Sequence, residues 1–391
     1  MRTEFLHFSP PLIGDEEIEE VVKTLREGWI TTGPRTQRFE ANFAQRVGAP
    51  AALAVNSATS AMHIALAVLG VGEGDEVITT PMTFVSTVHV IEHQRATPVL
   101  VDVETDTLNI DPARIEATIT PRTKAIMPVH LYGHPADMAP IYDIAQRHRL
   151  AVIEDAAHAL PAQYHGRTIG APQPGFDFPN LVAFSFYATK NLTTGEGGML
   201  TGAPDLLEDA RVWSLHGMSR DAFKRYTSDG SWRYDVVRPG FKYNMPDIQA
   251  AIGLHQLERL EAMQRRRRAI VSQYDEALGQ LPEIDPPVER PGVESAWHIY
   301  LLRLELDRLR IDRAGFIDEL RKRNIGTSVH FIPVPDHTYY RERYGWRPQD
   351  FPVAYREFDR MLSLPLSPAL TDQDVADVIE AVTEVVRANR A

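Results

Sequence analysis

The sequence predicts an α/β fold: a mainly parallel sheet covered by helices on both faces, followed by a smaller α+β unit. Three observations carry the prediction. Short apolar runs at residues 51–55, 76–79, 98–101, 124–128, 151–154 and 181–186 alternate with stretches of helical periodicity, as strands joined by helical crossovers do. Several of these runs stop at small polar or charged residues, and ligands of open α/β sheets bind at such carboxyl ends. Beyond a proline-rich stretch at residues 281–291, the pattern changes to the strands and helices of a second, smaller layer. The division expected is a large domain of residues 1–280 and a small one of residues 281–391.

In chain order, the first helix is expected over Asp15–Glu27, apolar at Ile18, Val21, Val22 and Leu25 and closed by Gly28. The loop Trp29-Ile-Thr-Thr-Gly-Pro34 reads equally as a ligand-facing turn and as a connector with a buried tryptophan. After the sixth run, Gly195, Gly197 and Gly198 mark a turn before a seventh run at residues 199–201. A helix at residues 204–216 leads into a polar, aromatic stretch, residues 219–237, expected as a long loop. A helix over residues 246–278 carries the basic run Arg265 to Arg268, which reads as a solvated face rather than a nucleic-acid patch. In the small domain a strand at 295–304, a helix at 313–323, a strand at 328–332 and a last helix at 372–387 are expected.

Composition narrows the function classes. At 391 residues, 43% apolar and 24% charged, the chain is ordinary globular protein with room for two domains. Its 41 basic against 53 acidic side chains oppose contact with polyanions, so no nucleic-acid partner is expected. The absence of cysteine excludes disulfides, thiolate zinc sites and cysteine-held iron–sulfur clusters. Without an apolar leader or a run long enough to cross a bilayer, a cytoplasmic protein with no membrane partner is expected. His298 and His330 lack any short metal-ligand spacing and stand as substrate-contact candidates.

The strand ends carry the chemistry. Asn56-Ser-Ala-Thr59 follows the first run and opens a helix, so it reads either as an N-cap or as an anion site built from backbone N–H groups and the Thr59 hydroxyl. Phe84, just past the second run, reads as a cover for a planar ligand or as core. At Glu154-Asp155-Ala-Ala-His158 an apolar run stops at two carboxylates, and His158 would lie one turn beyond Asp155 if a helix began there. A carboxylate there could keep a pyridinium nitrogen protonated, or could simply cap a helix. Lys190 lies between the sixth run and the glycine turn; a desolvated lysine amine attacks carbonyls and forms Schiff bases, whereas an exposed one decorates a turn. Phosphate cradle, stacking aromatic, pyridinium carboxylate and Schiff-base lysine, in that order, agree on one cofactor, pyridoxal 5'-phosphate (PLP).

The chain resembles the fold type I, PLP-dependent nucleotide-sugar aminotransferases of the DegT/StrS group. The resemblance runs through Gly28-Trp-Ile-Thr-Thr-Gly-Pro34, Asn56-Ser-Ala-Thr-Ser-Ala61, Pro128-Val-His-Leu-Tyr-Gly133, Ile153-Glu-Asp-Ala-Ala-His-Ala159, Phe184-Ser-Phe-Tyr-Ala-Thr-Lys-Asn-Leu192, Gly195-Glu-Gly-Gly198 and Gly240-Phe-Lys-Tyr-Asn-Met-Pro-Asp247. It implies the seven-stranded sheet of that fold, with Lys190 as the Schiff-base and proton-shuttling residue and Asp155 paired with the pyridinium nitrogen. It also implies Phe84 stacked on the ring with His158 close by. Ala58 through its backbone, Thr59 and Ser185 would sit on the phosphate, and Asn244 would reach the cofactor of a neighbouring subunit. The expected unit is therefore a homodimer with shared active sites. Ala58 and Pro161 replace the usual glycines, and a proline-rich segment at residues 171–179 is longer than usual, which bears on substrate fit.

The resemblance is closest to enzymes that aminate 4-keto sugars carried on UDP, with L-glutamate as donor and 2-oxoglutarate as its product. Tyr339-Tyr-Arg-Glu-Arg343 belongs to that likeness. The cofactor motifs are shared with enzymes acting on 3-keto sugars or cyclitol ketones, with PLP-dependent sugar dehydratases, and with a non-catalytic regulatory PLP protein. Dehydratase relatives carry histidine at the lysine position, so Lys190 argues against that alternative.

Overall fold

The computed structural model describes residues 2–219 and 234–391; most of the loop expected at 219–237 lies outside them. Seven strands form one sheet in the order Ala51–Val55, Gly198–Gly202, Asn180–Ser185, Ala151–Asp155, Thr123–Ile126, Glu76–Thr79 and Thr97–Leu100. Neighbours are parallel except for Gly198–Gly202, which runs antiparallel to both its partners. Alternate residues of each strand feed opposite cores: Ala52, Ala54, Val152 and Phe184 one, Leu53, Val55, Ile153 and Ala183 the other. Both faces are covered, which is why the strands read as unbroken apolar runs. The α/β class is as predicted. The 171–179 segment runs past Asn180, at the amino end of its strand, on the side of the sheet away from the carboxyl ends.

A second, antiparallel sheet joins Ile284–Asp285, Tyr300–Leu304 and Met361–Leu364. Helices Arg313–Lys322 and Asp372–Asn389 bury Phe316, Leu320, Val378 and Val382 in one core with Tyr300 and Leu302. The long helix Asp247–Leu278 serves both cores, with Ala250, Leu254 and Leu260 in the first and Ile270, Tyr274 and Leu278 in the second.

Three expectations need correction. The strand expected at 295–304 begins only at Tyr300, because the backbone before it is taken up elsewhere: Ala296 N donates to Gly133 O at 2.9 Å, and Ala296 O accepts from Asn191 at 2.7 Å. No strand forms at 328–332; Ser328 makes one bridge to Ser363, and Pro333 and Pro335 have no N–H to extend it. The basic run is a solvated face only in part: Arg265 is exposed, whereas Arg266 and Arg267 are turned to the protein. Arg267 is buried and donates to Leu366 O at 2.9 Å, and Arg266 donates to Leu370 O at 2.7 Å and pairs with Asp372 at 2.7 Å. Burial without a carboxylate pulls the Arg267 guanidinium down to about 9. These arginines clasp the 366–372 segment to the long helix.

The first helix has the predicted bounds and ends on Gly28 in the left-handed region, φ 81°. Its orientation is inside out. Glu17 accepts from Gln256 and Arg259, and Glu20 and Glu27 pair with Arg35 at 2.8 Å, while Ile18 and Leu25 are each 53% exposed. Trp29 and Ile30 extend this outward apolar surface, so the connector reading with a buried tryptophan fails.

Candidate active site

The carboxyl ends of strands Ala51–Val55, Ala151–Asp155 and Asn180–Ser185 open on a cavity of about 480 Å³ lined by Ala58, Thr59, Phe84, Asp155, His158, Ser185 and Lys190, among others. Val55, Gly198 and Ser185 stand in register across three strands. A Cβ on Gly198 would lie 2.4 Å from the Ser57 carbonyl carbon and 2.6 Å from Ala58 N, so glycine is what lets the Ser57–Ala58 turn settle on the strand. Both readings of this turn apply: Ser57 caps the helix Ala58–Val68, accepting from Ser60 N at 3.1 Å, and Ser57, Ala58 and Thr59 also face the cavity. The Thr59 hydroxyl makes no hydrogen bond among the described residues, so the turn offers free donors where an anion could sit.

Asp155 is buried at the end of its strand. Its Oδ2 accepts from Thr87 at 2.7 Å and its Oδ1 from Ala157 N at 3.1 Å. No cation lies within salt-bridge distance among the described residues. Burial pushes its pKa up from the ordinary carboxylate value, against the pull of the Thr87 and Ala157 hydrogen bonds. Lys190 follows the strand Asn180–Ser185 on a turn whose backbone closes from Lys190 N to Tyr187 O at 2.9 Å. Desolvation brings its ammonium down to about 8, so about a tenth is free amine at neutrality, far more than for an ordinary lysine, and Asp155 opposes the shift.

His158 is not on a helix. The chain turns after Asp155, and Tyr132 N donates to His158 Nδ1 at 3.2 Å, which holds the proton on Nε2. Burial, with Lys190 and His330 nearby, keeps the ring neutral. Phe84 lies two residues before the helix Ser86–His93, is 57% exposed and flanks Phe331 at 5.8 Å. Asn244 does not line this chain's cavity; its Nδ2 donates to Thr32 Oγ1 at 2.7 Å.

Thr83 in the cavity wall, with Thr87 and Asn191 behind it, lies outside the expected set. Thr83 and Thr87 form a hydroxyl pair 2.7 Å apart leading to Asp155. Their i, i+4 spacing behind Phe84 was the available signal. Asn191 donates to Leu160 O at 2.9 Å and Ala296 O at 2.7 Å, leaving its Oδ1 to accept from His298 Nδ1 at 3.2 Å. His298 stands 4.5 Å from the His158 ring, and His330, held by Ser363 at 2.8 Å, closes the far wall. Both histidines thus reach the cavity, as substrate contacts would. No group of three or more metal-ligating side chains occurs among the described residues, and no helix there is long and apolar enough to cross a membrane.

These residues fit PLP on their own chemistry. The turn at Ser57–Thr59 offers donors for a phosphate, Asp155 is a buried carboxylate without a cation, and Lys190 is an amine with a lowered proton affinity.

Comparison with known proteins agrees. Residues 11–383 match the model of the DegT/DnrJ/EryC1/StrS aminotransferase family. The spore coat polysaccharide biosynthesis protein SpsC of Bacillus subtilis is 51% identical over 388 residues, 99% of this chain and 98% of SpsC. Spr1654 from Streptococcus pneumoniae, named as a sugar aminotransferase, superposes in its PMP form with a TM-score of 0.91 at 37% identity, over 98% of this chain and 99% of that one. Its PLP form does so with a TM-score of 0.90. PseC from Helicobacter pylori, an aminotransferase involved in the biosynthesis of pseudoaminic acid, gives 0.89 at 27% identity over 99% and 100% of the two chains. The chain belongs to the DegT/DnrJ/EryC1/StrS aminotransferase family and is a PLP-dependent sugar aminotransferase.

Proposed function

We propose that the enzyme moves an amino group from L-glutamate to the C-4 keto group of a nucleotide-linked sugar, in the cytoplasm and as a homodimer. The observation that carries the chemistry is the enclosure of Lys190 and Asp155 in one cavity. When bound there, PLP supplies a carbonyl for amines and a ring that takes up the electron pair released beside it. Lys190 Nζ is the amine that would hold the cofactor's carbonyl carbon and would serve as the base that moves a proton at the reacting carbons. Asp155 keeps the proton on the ring nitrogen; Thr87 and Ala157 N aim the carboxylate. Phe84 and His158 would flank the ring, Ala58 N, Thr59 and Ser185 would hold the phosphate, and Asn244 would serve the site of a second copy.

The 4-keto assignment draws on the likeness in Trp29 to Pro34, Ile153 to His158 and Tyr339 to Arg343, and on the sugar pathways of the relatives SpsC and PseC. A panel of nucleotide-linked keto sugars with glutamate, followed by product mass, tests it. Turnover of a 4-keto sugar is expected; turnover of cyclitol ketones alone would remove the substrate reading and leave the aminotransferase intact. We read the two cores joined by Asp247–Leu278 as a large domain of residues 1–280 and a small one of 281–391.

The homodimer reading rests on the inside-out first helix, whose exposed Ile18, Val22 and Leu25 continue into Trp29 and Ile30. The helix is acidic, with six carboxylates against Lys23 and Arg26, so an anionic membrane is a poor cover. The surface runs on to Thr32, which holds Asn244, so a second copy seated here also meets the segment reserved for it. Ile18→Glu with Leu25→Glu should give a monomer by light scattering, with activity lost; a fully active dimer would remove the first helix from the interface.

A further inference from the structure

Among the imidazoles in the cavity wall, His298 and His158 offer opposite things. Asn191 spends both amide N–H groups, on Leu160 O at 2.9 Å and Ala296 O at 2.7 Å, so its amide cannot be turned round. Its Oδ1 therefore faces His298 Nδ1, 3.2 Å away, and an oxygen that only accepts puts the ring proton on Nδ1. Burial, with Lys190 nearby, keeps the ring neutral. A neutral ring protonated on Nδ1 carries a bare lone pair on Nε2. His158 is the reverse, with its proton on Nε2.

That lone pair opens on the cavity. His298 is 6% exposed and stands in the cavity wall, whereas Asn191, on its Nδ1 side, does not. Nε2 has no hydrogen-bond partner among the described residues and is not sealed in the interior. The turn that presents it is fixed. His298 N donates to Tyr132 O at 3.0 Å, and Trp297 before it is held at φ 46°, in the left-handed region that a bulky residue rarely takes. Such backbone strain persists where the surroundings over-determine it, and it collects at binding sites.

A bare lone pair selects its ligand by chemistry. Carboxylates and phosphates have no proton to give near neutrality and are repelled by it, whereas the His158 N–H suits them. The amino group in transfer is engaged at the cofactor. For a sugar aminotransferase the donor that remains is a sugar hydroxyl. We propose that His298 Nε2 is the acceptor for one hydroxyl of the sugar substrate, and that Asn191 is the positioning residue that fixes the tautomer and aims the ring. Together they make the enzyme selective for a ketone that bears a hydroxyl at one ring position. The inference rests on the reading of this cavity as the site of transfer.

Wild-type enzyme is assayed with the ketone of the panel above that it turns over best, nucleotide-linked sugar or cyclitol, and with the monodeoxy analogues of that ketone. For one analogue kcat/KM should fall about tenfold or more, because a buried acceptor is left unmet. His298→Phe should erase that ratio, and its loss in the sugar half of the reaction should exceed its loss in the glutamate half by about tenfold or more. Asn191→Leu should erase the same ratio, and the double variant should do no more, a non-additivity that a merely structural role would not produce. A wild type that penalises no analogue by that factor, or a His298→Phe variant that discriminates as the wild type does, would overturn the proposal. Nitrogen NMR of histidine-labelled, cofactor-free protein reads the tautomer without turnover: the His298 proton should lie on Nδ1, and a proton on Nε2 would overturn the proposal equally. Turnover retained by Lys190→Ala would sink the site reading and this inference with it; turnover lost there, with discrimination unchanged in His298→Phe, sinks this inference alone.

Discussion

Lys190→Ala is expected to lower turnover by about 10⁴-fold or more and to abolish the visible absorbance that marks PLP bonded to the protein. The size follows from two roles lost at one atom. On the proposed roles, Lys190 Nζ would activate the cofactor carbonyl and would be the base that moves the proton. No other amine lines the cavity among the described residues, and each of the three nearby histidines has one ring nitrogen engaged, His158 with Tyr132 N, His298 with Asn191 and His330 with Ser363. PLP should still bind through the cradle. A variant retaining both turnover and the absorbance would sink the assignment of Lys190.

Asp155→Asn is the second large effect, about 10³-fold on kcat, or about 4 kcal/mol of transition-state stabilisation. Asparagine fills the same space and can still accept from Thr87, so the loss is one of charge rather than shape. Without the carboxylate nothing in the wall holds a proton on the ring nitrogen, and the ring no longer withdraws electrons at the moment of proton removal. The bound PLP stoichiometry should stay near wild type. A rate within tenfold of wild type would mean that Asp155 does not serve the ring nitrogen.

The sheet was legible because its strands are buried on both faces, so burial itself wrote the apolar runs into the sequence. Lys190 and Asp155 were legible for a related reason: an ionisable residue at the end of such a run has left the core and faces something. Other features were hidden by the limits of periodicity. The 3.6-residue pattern groups Ile18, Val22 and Leu25 on one face but does not say whether that face points in or out, and here it points out. Arg266 and Arg267 looked like solvated surface because their partners, the carbonyls of Leu370 and Leu366, are about a hundred residues away. His158 was expected on a helical turn, whereas Tyr132 N holds it on an irregular one, a contact that local sequence does not encode. Asn191, next to Lys190, escaped notice because its work is done on the backbones of Leu160 and Ala296.

The helix Asp247–Leu278 has a consequence for how the molecule melts. Its 32 residues form one unbroken rod of about 48 Å, with one half seated in each core. Loosening either core would leave half of the rod without its apolar contacts, and a helix in that state has little to hold it in water. The two cores are therefore expected to melt in one calorimetric transition, and two resolved peaks would show that the small sheet comes apart while the large one persists.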